Sequence, residues 1–255
     1  MAPDLANGGG GYHAEFYPEL TELEAGNFWF QSRNTLIVWV MRRYFPKPRR
    51  VLEIGCGTGF VLSALASAFP KSELTGSEIF SAGLSHTAKR LPQAELLQMD
   101  ARTIPYLEHF DVVGAFDVLE HIAEDEHVLH EIYQALRPGG GLILTVPQHP
   151  WLWSYQDEYA CHVRRYTVSE LKSKIAKAGF TTVYDTSFVS LLLPMMWLSR
   201  KRYSVRSEND PLSELRIGRL ANFTLGMFMA FERKLIQLGV RFPAGGSLLL
   251  VARKG

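Results

Sequence analysis

Cysteine is nearly absent: Cys56 and Cys161 are the only two in 255 residues, and they lie far apart. This excludes a disulfide framework and a C-x-x-C metal site, and it fits a reducing cytoplasm. An excess of one charge is missing too, with 27 Lys+Arg against 26 Asp+Glu and a net charge of +1. With no long basic stripe to neutralise phosphates, no nucleic-acid partner is expected. Neither apolar run, near 188–198 and 221–239, reaches the roughly 20 residues that a membrane span needs. The N-terminus lacks a basic stretch followed by an apolar run, so no signal peptide is expected. Instead Asn7–Gly11 is glycine-rich, and residues 1–12 are expected to form a disordered tail. No internal repeat is visible.

What is there begins at Val51-Leu52-Glu53-Ile54, a short apolar run that suits a buried parallel strand. Gly55, Gly57 and Gly59 follow at alternate positions, and a helical pattern opens at Phe60. A strand, a glycine turn and a helix start form a cradle in which a ligand can approach the backbone closely. The spacing G-x-G-x-G differs from the G-x-G-x-x-G of dinucleotide binders, and the Lys-Ser/Thr pair of a P-loop is missing. A second strand ends in Glu78, where an α/β nucleoside site places a carboxylate for ribose hydroxyls.

Further strands are expected at 95–98, 111–116 and 141–146, with helices at about 59–69, 81–91 and 122–137. Arg137–Gly141 reads as a turn entering the fifth strand. Thr167 to Glu170 reads as a capping box before a helix at 168–178, and Phe180 to Asp185 as a sixth strand. A last strand falls at 247–252. Alternating strands and helices predict an α/β fold, a doubly wound seven-stranded sheet with ligands at the strands' carboxyl ends. Residues 13–48 read as a helical N-terminal cap, 49–187 as the core, 188–245 as a helical insertion and 246–255 as the final strand, all in one domain.

With the Glu53-x-Gly-x-Gly-x-Gly59 run, Glu78, Gln98-Met99-Asp100-Ala101 and Phe116–His121, the chain resembles the class I S-adenosylmethionine-dependent methyltransferases, including type 11/12 and ubiquinone-pathway O-methyltransferases. The resemblance implies S-adenosylmethionine as cofactor and a Rossmann-like sheet. It implies that Gly55, Gly57 and Gly59 line the methionine and ribose side, with Glu53 supporting the turn; Cys56, inside the turn, is read either as a cofactor contact or as a small packing residue. Glu78 would take the ribose hydroxyls and Ile79 would pack on adenine. Asp100 and Ala101 would sit at the adenine amino group, Asp117 and Val118 would contact the cofactor, and Arg33 would pair with its carboxylate. The alternatives are a surface charge for Arg33 and a solvated strand-end acid for Asp100. Asp117, Glu120 and His121 also match the spacing of an acid-x-x-Glu-His group that holds a divalent metal in ubiquinone-pathway and small-RNA 2′-O-methyltransferases. Glu-His occurs here in metal-free methyltransferases as well, and no metal is assigned.

Methyl transfer needs an aligned acceptor, and a general base where that acceptor is a hydroxyl. His149 and His162 flank an aromatic loop after the fifth strand, and with His121 they are the candidate bases; the alternatives are a strand-end cap for His149 and a surface residue for His162. Trp151, Trp153 and Tyr166 could stack an acceptor or form core; Arg164 and Arg165 could bind an anion or pair with acids. The expected acceptor is a small molecule, hydrophobic or lipid- or sugar-linked, with the 188–240 insertion shielding it, touching a membrane surface or forming a homodimer. N- or C-methylation of a small aromatic compound and non-catalytic cofactor binding are the alternatives.

Overall fold

The computed structural model describes Leu5, residues 17–202 and residues 216–255. The expected N-terminal tail, apart from Leu5, and the polar stretch Ser204–Asn209 lie outside the described residues.

Seven strands form one sheet: β1 (Arg50–Ile54), β2 (Glu73–Glu78), β3 (Glu95–Gln98), β4 (Phe110–Phe116), β5 (Leu136–Pro147), β6 (Phe180–Phe188) and β7 (Ser247–Lys254). The order is β3-β2-β1-β4-β5-β7-β6. β1 to β5 run parallel, and β7 is antiparallel to both β5 and β6.

The strand residues explain why both faces are covered. Alternate side chains of a strand point to opposite faces. Leu52, Ile54, Val113, Leu142, Leu144, Leu248 and Leu250 join one core cluster. It is completed by Val128, Leu129 and Ile132 of α5 (Asp125–Ala135) and by Leu171 and Ile175 of α7 (Val168–Lys177). The intervening Val51, Val112, Ile143, Leu249 and Val251 join a second cluster with Ile37, Val40 and Met41 of α2 (Phe28–Tyr44). Val61 and Leu65 of α3 (Phe60–Ala68) and Met229 and Ile236 of α9 (Arg219–Gln237) close that face. A continuous apolar strand is what burial on two sides requires.

The N-terminal cap consists of α1 (Tyr17–Glu24) and α2. α2 starts on Asn27, whose side chain accepts from the Trp29 amide. α4 (Ser81–Arg90) connects β2 to β3, the short α6 (Tyr155–Tyr159) follows β5, and α8 (Leu193–Arg202) with α9 forms the insertion before β7. Cap and insertion are tied together: Asn222 of α9 accepts from the Phe28 amide and donates to the Gly26 carbonyl, both at 2.9 Å.

Three boundaries differ from the sequence expectations. Arg137–Gly141 belongs to β5, which starts at Leu136 opposite Phe110 and shifts register before Val112 meets Gly141. Gly141 is required there, since a Cβ would come within 2.0 Å of the Phe45 ring. β6 continues to Phe188, opposite Ser247, so the apolar run begins inside the sheet. After β4 the chain forms a 3-10 turn at Leu119–His121, and α5 opens only at Asp125. Asp117 introduces that turn with φ of 58°.

Candidate active site

The carboxyl ends of β1 to β5 open into a cavity of about 1420 Å³, roofed by α1, α2 and α8. One end is the glycine turn. Gly57 has φ of 52° and a Cβ there would meet nothing within 4 Å, so its bare backbone faces open space. Gly59 plays a different part: a Cβ would stand 2.7 Å from Thr87 Cγ2, so this glycine lets α3 pack on α4.

Glu78 holds the turn to the end of β2. Its Oε2 accepts from the Gly57 amide at 3.0 Å, and its Oε1 accepts from the Ile79 and Phe80 amides at 2.8 and 3.2 Å. Burial pushes its carboxyl above the ordinary range against the pull of these amides. Beyond β3, Asp100 is gripped by Arg102 through both carboxylate oxygens. Burial raises the Asp100 carboxyl, but Arg102 outweighs it and holds it below its usual range. Gly55, Gly57, Glu78, Ile79, Asp100 and Ala101 all line this end.

Arg33 and Asp117 form an ion pair in the middle of the cavity lining. The Arg33 guanidinium lies 4.6 Å from the Trp29 ring centroid, and its buried Nε has no hydrogen-bond partner. Val118 lines the same region and meets the glycine turn, since a Gly55 Cβ would lie 2.5 Å from its Cγ2.

The other end carries titratable groups. His162 and His121 line it with ring centroids 4.7 Å apart. Ser154 and Asp157 make a capping box at α6, which fixes Asp157. Asp157 Oδ1 accepts from Arg165 Nε at 2.7 Å and lies 2.9 Å from His162 Nδ1. Burial raises the Asp157 carboxyl, but His162, Arg165 and Arg200 outweigh it and bring it to about 2. An ionised carboxylate only accepts, so Nδ1 of His162 carries a proton and Nε2 is left as the basic nitrogen. Burial, helped by His162, lowers His121 to about 4, which makes it a neutral and weakly basic imidazole.

Glu120 stands 4.0 Å from His162 Nε2, fully buried, with neither carboxylate oxygen hydrogen-bonded. Burial and the neighbouring Asp117 push its carboxyl well above the ordinary range. Glu120, His121 and His162 offer ligand atoms within 4.8 Å of one another. This differs from the trio read by spacing, because Asp117 is engaged by Arg33.

Several expected site residues fall outside the cavity lining. Glu53 is buried behind the turn, with Oε2 unpartnered and its carboxyl raised by burial. Cys56 is buried beside Thr87, 3.8 Å from its hydroxyl, and Gly59 packs on the same residue. His149 stacks on Trp151 at 5.0 Å and does not reach the cavity. Trp151 and Trp153 are 56% and 39% exposed and are not part of the cavity lining. Tyr166 is fully buried and donates to Asp125 at 2.7 Å, so it offers no stacking face. Arg164 pairs with Asp125 and donates to the Ala123 carbonyl at 2.8 Å. Of the expected acceptor residues, Arg165 alone lines the cavity, and Asp157 holds it.

The sequence reading gave no role to Asp157 or to Glu24. The Ser154-x-x-Asp157 spacing was a usable signal for the first. Glu24 had none: its buried carboxylate accepts from Thr58 and Arg90 at 2.8 and 2.7 Å, fastening α1 over the glycine turn.

Residues 28–185 match the family model described as a methyltransferase domain. A protein of Mycobacterium tuberculosis named a probable S-adenosylmethionine-dependent methyltransferase is 27% identical over 64% of this chain, and the match spans 60% of that relative. A trans-aconitate 2-methyltransferase of Paracidovorax citrulli is 28% identical over 80% of this chain and 86% of its own length. The fold is also shared with the crystal structure of the [4+2]-cyclase SpnF, at 20% identity, TM-score 0.60, covering 89% of this chain and 82% of that one. With the family model matching from α2 through most of β6, this chain belongs to the class I S-adenosylmethionine-dependent methyltransferases.

Proposed function

We propose that this chain transfers a methyl group from S-adenosylmethionine to a hydroxyl of a small, largely apolar acceptor. The observation that carries the reading is a single cavity with the glycine cradle at one end and His162, backed by Asp157, at the other. The residues fit the cofactor. Gly57 leaves open space at the turn, Glu78 ends β2 and Asp100 follows β3 as acids, and the buried Arg33 Nε lacks a partner. When bound, the cofactor supplies an electrophilic methyl on a sulfonium, so the chain's work is to align the acceptor and manage its proton.

Val189, Leu192, Met195, Met196 and Leu225 line the cavity from the insertion side and favour an apolar acceptor body. His162 Nε2 takes the acceptor's hydroxyl proton, leaving the oxygen able to receive the methyl group that a bound cofactor would supply. Asp157 fixes the tautomer and steadies the imidazolium. Because the shared fold also serves a cyclase, the chemistry rests on the site and the relatives' names, not on the fold. Cys56 and Cys161, which form no disulfide, fit a reducing cytoplasm as its location.

The test uses wild type, His162→Gln and Asp157→Asn with labelled cofactor and a panel of hydroxylated apolar acceptors. His162→Gln should lose about 10²- to 10⁴-fold in kcat, with binding of S-adenosylhomocysteine unchanged. An unaltered kcat would remove His162 from the chemistry. Nitrogen or carbon as the methylated atom predicts little change, because there His162 only orients the acceptor.

A second reading is favoured by the unpartnered, buried carboxylate of Glu120 beside His121 and His162. These three would hold a divalent cation against the acceptor oxygen and lower its pKa. Loss of turnover in EDTA, restored by added magnesium or manganese, would select this reading; full turnover in EDTA would discard it.

A further inference from the structure

The insertion helix α9 has two faces of opposite character. Met229, Glu232 and Ile236 are buried on one side. The side turned to solvent carries Leu220, Phe223, Met227 and Phe231, with Leu238 at the C-cap, all between 58% and 83% exposed. Their successive spacings of three, four, four and seven residues keep them on one side of the helix. Scattered exposed apolar residues need no explanation, but a continuous stripe of large ones does.

The charges on α9 point to what covers this stripe. Its charged residues are Arg219, Glu232, Arg233 and Lys234. The one acid is buried and accepts from the Ser190 and Leu191 amides. Every charge that α9 offers toward solvent is therefore positive, in a chain whose net charge is only +1. Arg241 follows just beyond the helix and is exposed. A two-fold contact through the same stripe would set these cations against their own copies. Phe, Leu and Met on one face with Arg and Lys around them suit an anionic lipid interface. Among the described residues no helix is long and apolar enough to cross a membrane, so the contact is along the surface. The same insertion supplies Met195 and Leu225 to the apolar end of the cavity.

We infer that α9 docks this protein on the surface of an anionic phospholipid bilayer, with its Leu220–Leu238 stripe in the interface. Vesicle binding needs neither cofactor nor acceptor, so its failure would leave the methyl-transfer reading standing.

The experiment is co-sedimentation of the full chain with phosphatidylcholine vesicles, with and without phosphatidylglycerol, at low and high salt. Binding is expected only with phosphatidylglycerol and should weaken as salt rises. Phe223→Ser with Phe231→Ser should reduce it by about tenfold or more. Arg219→Glu with Lys234→Glu should do the same. Arg219, Phe223, Phe231 and Lys234 are all exposed, so the fold should tolerate both variants; unchanged binding of S-adenosylhomocysteine checks this. No binding to either vesicle, or equal binding by the phenylalanine variant, would overturn the inference. So would a dimer in sedimentation velocity that the phenylalanine variant dissolves while vesicles stay unbound.

Discussion

Asp125 shows how one residue's role depends on partners the sequence does not bring near it. It accepts from Tyr166 at 2.7 Å and Lys174 at 2.6 Å, and it pairs with Arg164. Burial raises its carboxyl, but Lys174, Arg164 and Tyr166 outweigh that and hold it below the ordinary range. A depressed carboxyl stabilises the fold above its unfolded pKa of about 4, and the benefit fades as pH falls through the lower folded value. Asp125→Asn should therefore cost about 2 kcal/mol at neutral pH. In urea melts the gap to wild type should close as pH drops below about 4; a gap constant with pH would contradict this. Tyr166 and Arg164 looked like acceptor contacts because they follow an aromatic loop, yet both are spent on Asp125, about forty positions earlier in the chain. Gly55, Gly57, Glu78 and Asp100 were legible as cavity lining because each lies at or just past a strand end. Of the two readings of Cys56, the structure has the packing one: its side chain is buried, with the thiol 3.8 Å from the Thr87 hydroxyl.

At the scale of elements, the strands were legible wherever an apolar run is bounded by turn residues. β5 was misread at its start because Pro138-Gly139-Gly140 has the composition of a turn, while the sheet absorbs it as an irregular stretch of strand. β6 runs three residues past its expected end because Thr186–Phe188 have partners in β7, and pairing is a long-range fact. α9 rests on Glu232, whose Oε2 accepts from the Ser190 and Leu191 amides at 2.7 and 2.8 Å. Burial pushes this carboxyl up against the pull of those amides. A raised carboxyl contributes most below its unfolded pKa, and its contribution is lost as pH rises through the folded value. Glu232→Gln keeps an acceptor for the same amides without the buried charge. It should match wild type in thermal melting at pH 7, whereas Glu232→Ala should lose about 2 kcal/mol. Equal losses in both would show that the charge itself is needed.

At the scale of the whole molecule, the parallel half of the sheet brings five strand ends to one rim, and the cap and insertion close over it. The order of motifs foretold that rim. The far wall was legible only in part: His121, His162 and Arg165 were named as candidates, whereas Asp157 of α6 had been given no role and the insertion helices reach the same wall from farther along the chain. The division of the cavity into a cofactor end and a proton-handling end is most directly tested by calorimetric titration with S-adenosylhomocysteine. Wild type and His162→Gln should bind it alike, and Asp100→Asn should bind it more weakly. Absence of binding to wild type, or its loss in His162→Gln alone, would contradict that division.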